Sequence, residues 1–409
     1  MASVEAGWDI TTGMSQGWCS DTQNESIIDV DEEKAEAVGV GARGDKTQTQ
    51  ECTEKSKASQ ADENLITEIS DRLDRATALG EDDKLLVAAH ILHDIDEKFL
   101  QPIHHKILKE AAVLKELLQE NTGSLELNEG GWIKQGKHTG RHNFTIYYKL
   151  KEITPGQDKE LSCRIETAIK ADLLVPFLSV LNESELYATW LPNFKLPRLR
   201  VSKSEKLQQS GRVSQIINVE TEIPWPLKMR QVILKAVACD NIDSYEEEDA
   251  SDNNNVYCLG KDGGRIIIRI QSLDCPDSEA EGLVIPPVEN GVVRMKVKGG
   301  FTMEKCPPDH PMKLCALQYD ARTTNSITGD DLILVTFSFC VDPQLTIIPK
   351  SFINFFVRVA MGQMWNMFLN VAEDVKEGKR PEHSAVIARK RELYDWVEER
   401  TAEMMGRVS

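Results

Sequence analysis

Four histidines lie close together, His90, His93, His104 and His105, and a helix carrying them could set a metal between His90, His93 and Asp94. Ligands three or four residues apart share a helix face, and zinc accepts imidazole with carboxylate. The competing reading is a set of core or solvated histidines, and no metal is expected. The acidic, Asn-rich run from Asp243 to Asn255 could hold calcium, but it lacks the spaced Asp-x-Asp-x-Asp-Gly pattern of a calcium loop and reads as a hairpin insertion. Gly260-Lys261-Asp262-Gly263-Gly264 falls between two predicted strands. With no helix following to supply its amides, it reads as a hairpin turn rather than a phosphate cradle. Phosphate-loop, His-Glu-x-x-His and Gly-x-Ser-x-Gly patterns are absent, and the many carboxylates show no pairing suited to acid/base work. The chain is expected to be no enzyme and to need no cofactor.

The elements that position side chains say more than the reactive groups. Between Phe352 and Val371, Phe352, Phe356, Val359, Ala360, Met367 and Val371 recur at helical spacing, while Asn354 and Arg358 fall opposite. So apolar a helix must lie against something large and concave. The β-like run Asp331 to Val341 before it points to a curved sheet. Further strands are predicted over Phe144–Leu150, Leu161–Ile169, Val213–Glu222, Arg230–Cys239, Val256–Leu259, Arg265–Leu273, Val292–Met303, Lys313–Tyr319 and Leu332–Val341, with a short helix over Ala171–Leu181. Many short strands joined by turn-rich loops imply one antiparallel, strongly curved sheet. Val232, Leu234, Ala236 and Ala238 alternate onto one face, as do Ile266, Ile268 and Ile270, and Val293, Met295 and Val297.

The 409 residues suffice for two or three domains, and 41% hydrophobic content supplies a core. A net charge of −18 argues against a nucleic-acid partner, which needs a basic surface. No run of about 18 apolar residues is present to span a membrane, and the N-terminus reads as neither signal nor transit peptide. Nine cysteines without a Cys-x-x-Cys pair fit reduced thiols and a cytoplasmic location. Residues 1–61 hold twelve Asp/Glu against five Lys/Arg and are predicted to be a disordered acidic tail. Residues 62–121 form a helical region: Leu65, Ile66, Ile69, Leu73, Ala76 and Leu79 keep helical spacing to Gly80, a second helix opens at Glu81-Asp82-Asp83, and a third runs through Ile107, Ala111, Leu114 and Leu118. Residues 382–405, after Lys379-Arg380-Pro381, are predicted as one further amphipathic helix.

Ile223-Pro224-Trp225-Pro226-Leu227-Lys228-Met229-Arg230 resembles the tryptophan-proline turn of START domains, the lipid-transfer domains related to steroidogenic acute regulatory protein. Glu289-Asn290-Gly291-Val292-Val293-Arg294 resembles the strand start that follows the family's mobile loop. Leu334 to Val341, with Asp342 and Pro349 before a long helix, resembles its last strand and lid helix. The resemblance spans residues 128–378. It implies an α+β helix-grip fold, in which a curved antiparallel sheet wraps a long C-terminal helix around a tunnel for one lipid.

By that resemblance the lipid would lie against Val232, Leu234, Ala236, Ile268, Met295, Phe352, Phe356, Val359 and Ala360, with Gln363 as a polar anchor. The loop Asp274 to Asn290 would stand at the tunnel mouth, its tip Leu283, Val284 and Ile285 touching a membrane. A carrier must offset about 13 kcal/mol to hold an acyl chain of about sixteen carbons away from its bilayer, at about 0.8 kcal/mol per methylene. The expected function is lipid binding and transfer without a catalytic step. A grip-fold cyclase or hydrolase is one alternative, and an adaptor binding a protein through the 62–121 helices is another.

Overall fold

The computed structural model describes residues 48–122, 125, 131–138, 141–152, 159–191, 193–195, 198–223, 228–242, 264–273, 282–320, 331–342 and 356–406. The chain divides into two units, Met1–Gln60 and Ala61–Ser409. In the first, the described residues are helical from Gln48. All that follows concerns the second. Most of the tail predicted over 1–61, the turn residues 224–227, the acidic run 243–255 and the strand predicted over 256–259 lie outside the described residues.

Among the described residues eleven strands form one sheet: β1 (Ile133–His138), β2 (Phe144–Glu152), β3 (Lys159–Lys170), β4 (Asn193–Lys195), β5 (Arg198–Gln209), β6 (Gln215–Glu222), β7 (Met229–Asp240), β8 (Arg265–Ser272), β9 (Val292–Arg294), β10 (Lys296–Lys305) and β11 (Leu332–Asp342). Their order is β1-β2-β3-β11-β10-β8-β7-β6-β5-β4, and β9 lies beside β7. Every pairing is antiparallel except β7 with β9. The strand predicted over Val292–Met303 thus breaks at Met295. Its first part joins β7 and its second runs between β8 and β11.

Helix α1 (Gln48–Glu81), from residue 61 on, with α2 (Leu85–Leu92) and α3 (Pro102–Thr122), covers the outer face of the sheet. Ala76, the whole of α2, Ile107, Ala111, Leu114 and Leu117 form one core with Val237, Cys239 and Ile267. Alternation explains this second core: Val237 and Cys239 point away from Ala236 and Ala238, and Ile267 away from Ile266 and Ile268. The unbroken triplet Ile266-Ile267-Ile268 is the mark of a strand buried on both faces. Helix α3 can approach β10 because Gly300 has no side chain. A Cβ there would stand 2.0 Å from Ile268 O and 2.6 Å from Leu117 Cδ2.

Acidic residues before α2 do not serve its dipole. Asp83 takes a left-handed φ of 60° and turns its carboxylate to the β5–β6 hairpin. It accepts from Arg212 N (2.9 Å), Val213 N (3.3 Å) and Ser214 Oγ (3.3 Å). Burial pushes its carboxyl up from the usual range, against the pull of those donors.

Against the inner face lie α4 (Leu174–Asn182), α5 (Tyr187–Trp190), α7 (Gly362–Lys376) and α9 (Arg391–Met404), with α8 (Pro381–Arg389) packed on α4, α7 and α9, while α6 (Pro311–Asp320) packs on β3. The stretch predicted as a strand over Lys313–Tyr319 is α6. Its apolar residues Met312, Cys315 and Ala316 sit at helical spacing and pack with Leu332 and Leu334. The helix predicted over 382–405 is two helices, broken at Lys390. Trp365, Phe368, Leu369, Val371, Ala372 and Val375 of α7 share a core with Ile165, Phe301, Met303, Ile333 and Val335 of the sheet. A curved antiparallel sheet gripping a C-terminal helix is the α+β arrangement that the sequence implied.

Candidate functional site

Sheet and helices do not meet everywhere. Between them lies a cavity of about 450 Å³, lined almost wholly by carbon. The sheet contributes Ile217 of β6, Leu234, Ala236 and Ala238 of β7, Ile266, Ile268 and Ile270 of β8, Val297 and Phe301 of β10, and Phe337, Phe339 and Val341 of β11. Two-residue alternation puts all of these on one face. The small side chains Ala236 and Ala238 leave room where Leu or Ile would fill it. Opposite stand Leu178 and Leu181 of α4, Tyr187 and Trp190 of α5, and Met364, Trp365 and Phe368 of α7.

Stacked rings stiffen one end. Phe301 and Phe337 stack at 4.1 Å between centroids, Phe337 and Trp365 lie parallel at 5.9 Å, and Phe177 meets Phe368 edge-on at 4.6 Å. Offset stacks and edge contacts each add about 0.5–1.5 kcal/mol beyond area burial.

The remaining wall is α9, which sends Leu393, Tyr394, Trp396, Val397 and Arg400 to the cavity. Polar ties hold it. Tyr394 Oη donates to Glu183 Oε1 at 2.6 Å, and Lys390 Nζ reaches both oxygens of Glu183 at 2.8 Å. Burial, and then the Glu183 charge, push the Tyr394 phenol well above its ordinary value, so it stays a donor. Arg400 forks onto Asp240 through Nε (3.0 Å) and Nη2, and its Nη1 reaches Glu403. Arg400 and Asp240 are each 7% exposed. Farther along, the Arg212 guanidinium lies 4.8 Å over the Trp396 ring. The polar neighbours Asn182 and Gln215 are bonded within the protein: Gln215 Nε2 donates to Asn182 O (2.9 Å), and Asn182 Nδ2 to Glu183 Oε1 (3.0 Å).

Of the residues singled out in the sequence, Leu234, Ala236, Ile268 and Met295 line the cavity. Val232 lies on the same face of β7 and is buried, but beyond the cavity wall. Ala360 is buried behind the wall. Phe352 lies outside the described residues, as do the side chains of Phe356 and Val359. Gln363, expected as a polar anchor, is exposed and is not among the residues that line the cavity. A π-helical turn over Phe356–Met361 precedes α7. Its wider repeat shifts the phase, so the cavity face runs through Met361, Met364, Trp365 and Phe368. The loop tip is corrected in part. Ile285 is 6% exposed and packs with Ile216, Ile233 and Leu273, with Leu283 against them. Val284 is 78% and Val288 47% exposed, so both present apolar surface at the tip.

The histidines do not assemble. His93 pairs with Asp94 at 3.0 Å, while the His104 ring is bonded to Gln101 N (3.0 Å) and Thr77 Oγ1 (3.0 Å). Among the described residues no three metal-ligating side chains come together, and no helix is long and apolar enough to cross a membrane. The aromatic residues of α4, α5 and β11 and the whole α9 wall went unnamed in the sequence. Leu393, Tyr394, Val397 and Met404 do keep helical spacing there, a signal of a buried stripe without a stated partner.

No protein-family model matches the chain, and no curated protein matches it. Among solved structures it is similar to human STARD10, at 15% identity over 66% of this chain and 81% of that one, with a TM-score of 0.40. It is similar to human StAR-related lipid transfer protein 5 at 14% identity over 66% of this chain and 96% of that one, with a TM-score of 0.41. A STAR-related lipid transfer protein from Xanthomonas axonopodis shares 20% identity over 59% of this chain and 99% of that one, with a TM-score of 0.35. The second and third are lipid-transfer proteins by name, and the likeness is one of fold.

Proposed function

We propose that this chain binds one lipid in the cavity between sheet and helices and carries it between membranes, with no catalytic step. The observation that supports this is the apolar cavity of about 450 Å³, which falls within the range of about 300–1,000 Å³ usual for small-molecule sites. A space lined by carbon favours an apolar guest, because it returns to the guest the transfer energy lost on leaving a bilayer. On the wall Gln215 already donates to Asn182 and Arg400 to Asp240, while the indole N–H groups of Trp190 and Trp365 have no acceptor among the described residues and could only donate to a guest. Buried Cys163, Cys239, Cys306 and Cys315 are free thiols, which suits a reducing, cytoplasmic setting. Val284 and Val288 would touch the membrane, while Ile285 pegs their loop to the domain.

Native mass spectrometry of protein purified from a lipid-rich extract tests the reading. One retained lipid per chain is expected, and Ala238→Trp, which fills the cavity, should abolish it. A lipid that survives Ala238→Trp unchanged would place binding elsewhere. For transfer, Val284→Asp with Val288→Asp should cut movement between liposomes about tenfold or more while leaving the melting curve intact. Unchanged transfer would remove these residues from the membrane contact.

A further inference from the structure

The cavity holds a charge pattern that restricts its guest. Among the described residues on its wall, only Asp240 and Arg400 carry charge, and they cancel. Each nitrogen of the Arg400 guanidinium already donates to a carboxylate: Nε and Nη2 to Asp240, Nη1 to Glu403. Asp240 Oδ1 also accepts from Ile242 N at 3.1 Å. A guest's carboxylate or phosphate would therefore find no unspent cation, and would have to break a buried fork to gain one. Burying a charge without its counter-charge is strongly unfavourable in such surroundings, and taking one member of a buried pair strands the other. The fork itself is bidentate and rigid, the geometry that guanidinium and carboxylate hold best.

We infer that the cavity selects lipids whose buried part is uncharged, such as a sterol, a long-chain alcohol or a glyceride, over fatty-acid anions and phospholipids. The Asp240–Arg400 pair acts as a charge filter: it bars ions by being complete, not by repelling one sign. Selectivity of this kind is a difference between two affinities, set here by the cost imposed on the wrong guest. The inference rests on the carrier reading, but it can fail while that reading stands.

The test compares hexadecan-1-ol with hexadecanoate, which differ only at one end, by displacement of the uncharged dye Nile red at about pH 8.5, where the acid is ionised. The wild-type chain should bind the alcohol about a hundredfold more tightly than the anion. In Asp240→Asn with Glu403→Gln, Arg400 loses both carboxylates, and the ratio should shrink about tenfold or more because the anion can now supply the missing charge. In Asp240→Leu with Arg400→Met the whole buried pair is gone, only the Ile242 amide and the 43% exposed Glu403 side chain lose a partner, and the ratio should stay near the wild-type value whatever the alcohol's own affinity. This second variant decides the matter if the first does not fold. Hexadecanoate binding to wild type within about threefold of the alcohol overturns the filter alone. So does an unshifted ratio in the first variant, or a collapsed ratio in the second. If the wild-type chain, folded by its melting curve, binds neither compound, the carrier reading falls and the filter with it.

Discussion

Removing one oxygen atom from α9 should both weaken the fold and loosen the cavity. The Tyr394 hydroxyl donates at 2.6 Å to a Glu183 carboxylate that also holds Lys390. Tyr394 is 3% and Glu183 5% exposed, so this is not a surface contact worth a few tenths of a kcal/mol. A hydrogen bond to a buried charge contributes about 1.5–3 kcal/mol, and Tyr394→Phe leaves the carboxylate with fewer donors in the same space. We expect a loss of about 2 kcal/mol in urea unfolding, with the slope unchanged because the surface exposed on unfolding hardly differs. Burial holds the phenol protonated in the fold, so this group's contribution is present below the ordinary tyrosine value and is lost only as pH rises above it. The mutational loss should therefore be flat from about pH 7 to 9. Because α9 is a wall of the cavity, the variant should also release a bound fluorescent lipid faster, by up to about tenfold. A loss under about 0.5 kcal/mol would show that the hydroxyl is not tied as described. A normal loss with an unchanged release rate would show that lipid does not leave past α9.

Asp83→Ala should cost about 2–3 kcal/mol in the same assay, because it removes a carboxylate held by two backbone amides and Ser214 and puts a Cβ-bearing residue without a polar arm into a left-handed turn. Asp83→Asn, which keeps an acceptor and tolerates that turn, should cost clearly less, and equal losses would discard the clamp. Burial depresses the His383 imidazole, so the folded chain takes up that proton less readily than the unfolded one. Stability tied to His383 is therefore full above the ordinary histidine value and is lost as pH falls below it. Unfolding midpoints between about pH 7.5 and 5.5 should drop less steeply in His383→Gln than in wild type, and parallel curves would contradict the assignment.

The sheet was legible in the sequence wherever one face is apolar and the other is not. Met295 and Val297 alternate with Arg294, Lys296 and Lys298, and both apolar residues line the cavity. Strand β5 was missed because Arg198 to Gln209 puts charged or polar residues on both faces, leaving no period to read. Segment Lys313–Tyr319 misled because a short apolar run suits strand and helix alike, and only burial of Met312 with Cys315 decides it. Gln363 failed for a different reason. A single π-helical turn changes the residues per turn, and a periodicity carried across it names the wrong face. The α9 wall was beyond reach, since a stripe on a helix tells that something is covered but not what. Likewise, nothing in the sequence joined Asp240 to Arg400, a contact between residues on β7 and α9 that only tertiary packing creates.

Strand β11 closes directly onto β3, Leu332 opposite Lys170 and Val341 opposite Leu161. Neighbours so remote along the chain give a high contact order, and topologies of that kind fold slowly, since loop-closure entropy is spent before any pairing rewards it. During synthesis β1, β2 and β3 leave the ribosome long before their partner, with Ile165 and its greasy surroundings open to solvent. Such half-finished sheets invite association with other nascent chains, so chaperone capture at this stage should govern the yield of folded protein.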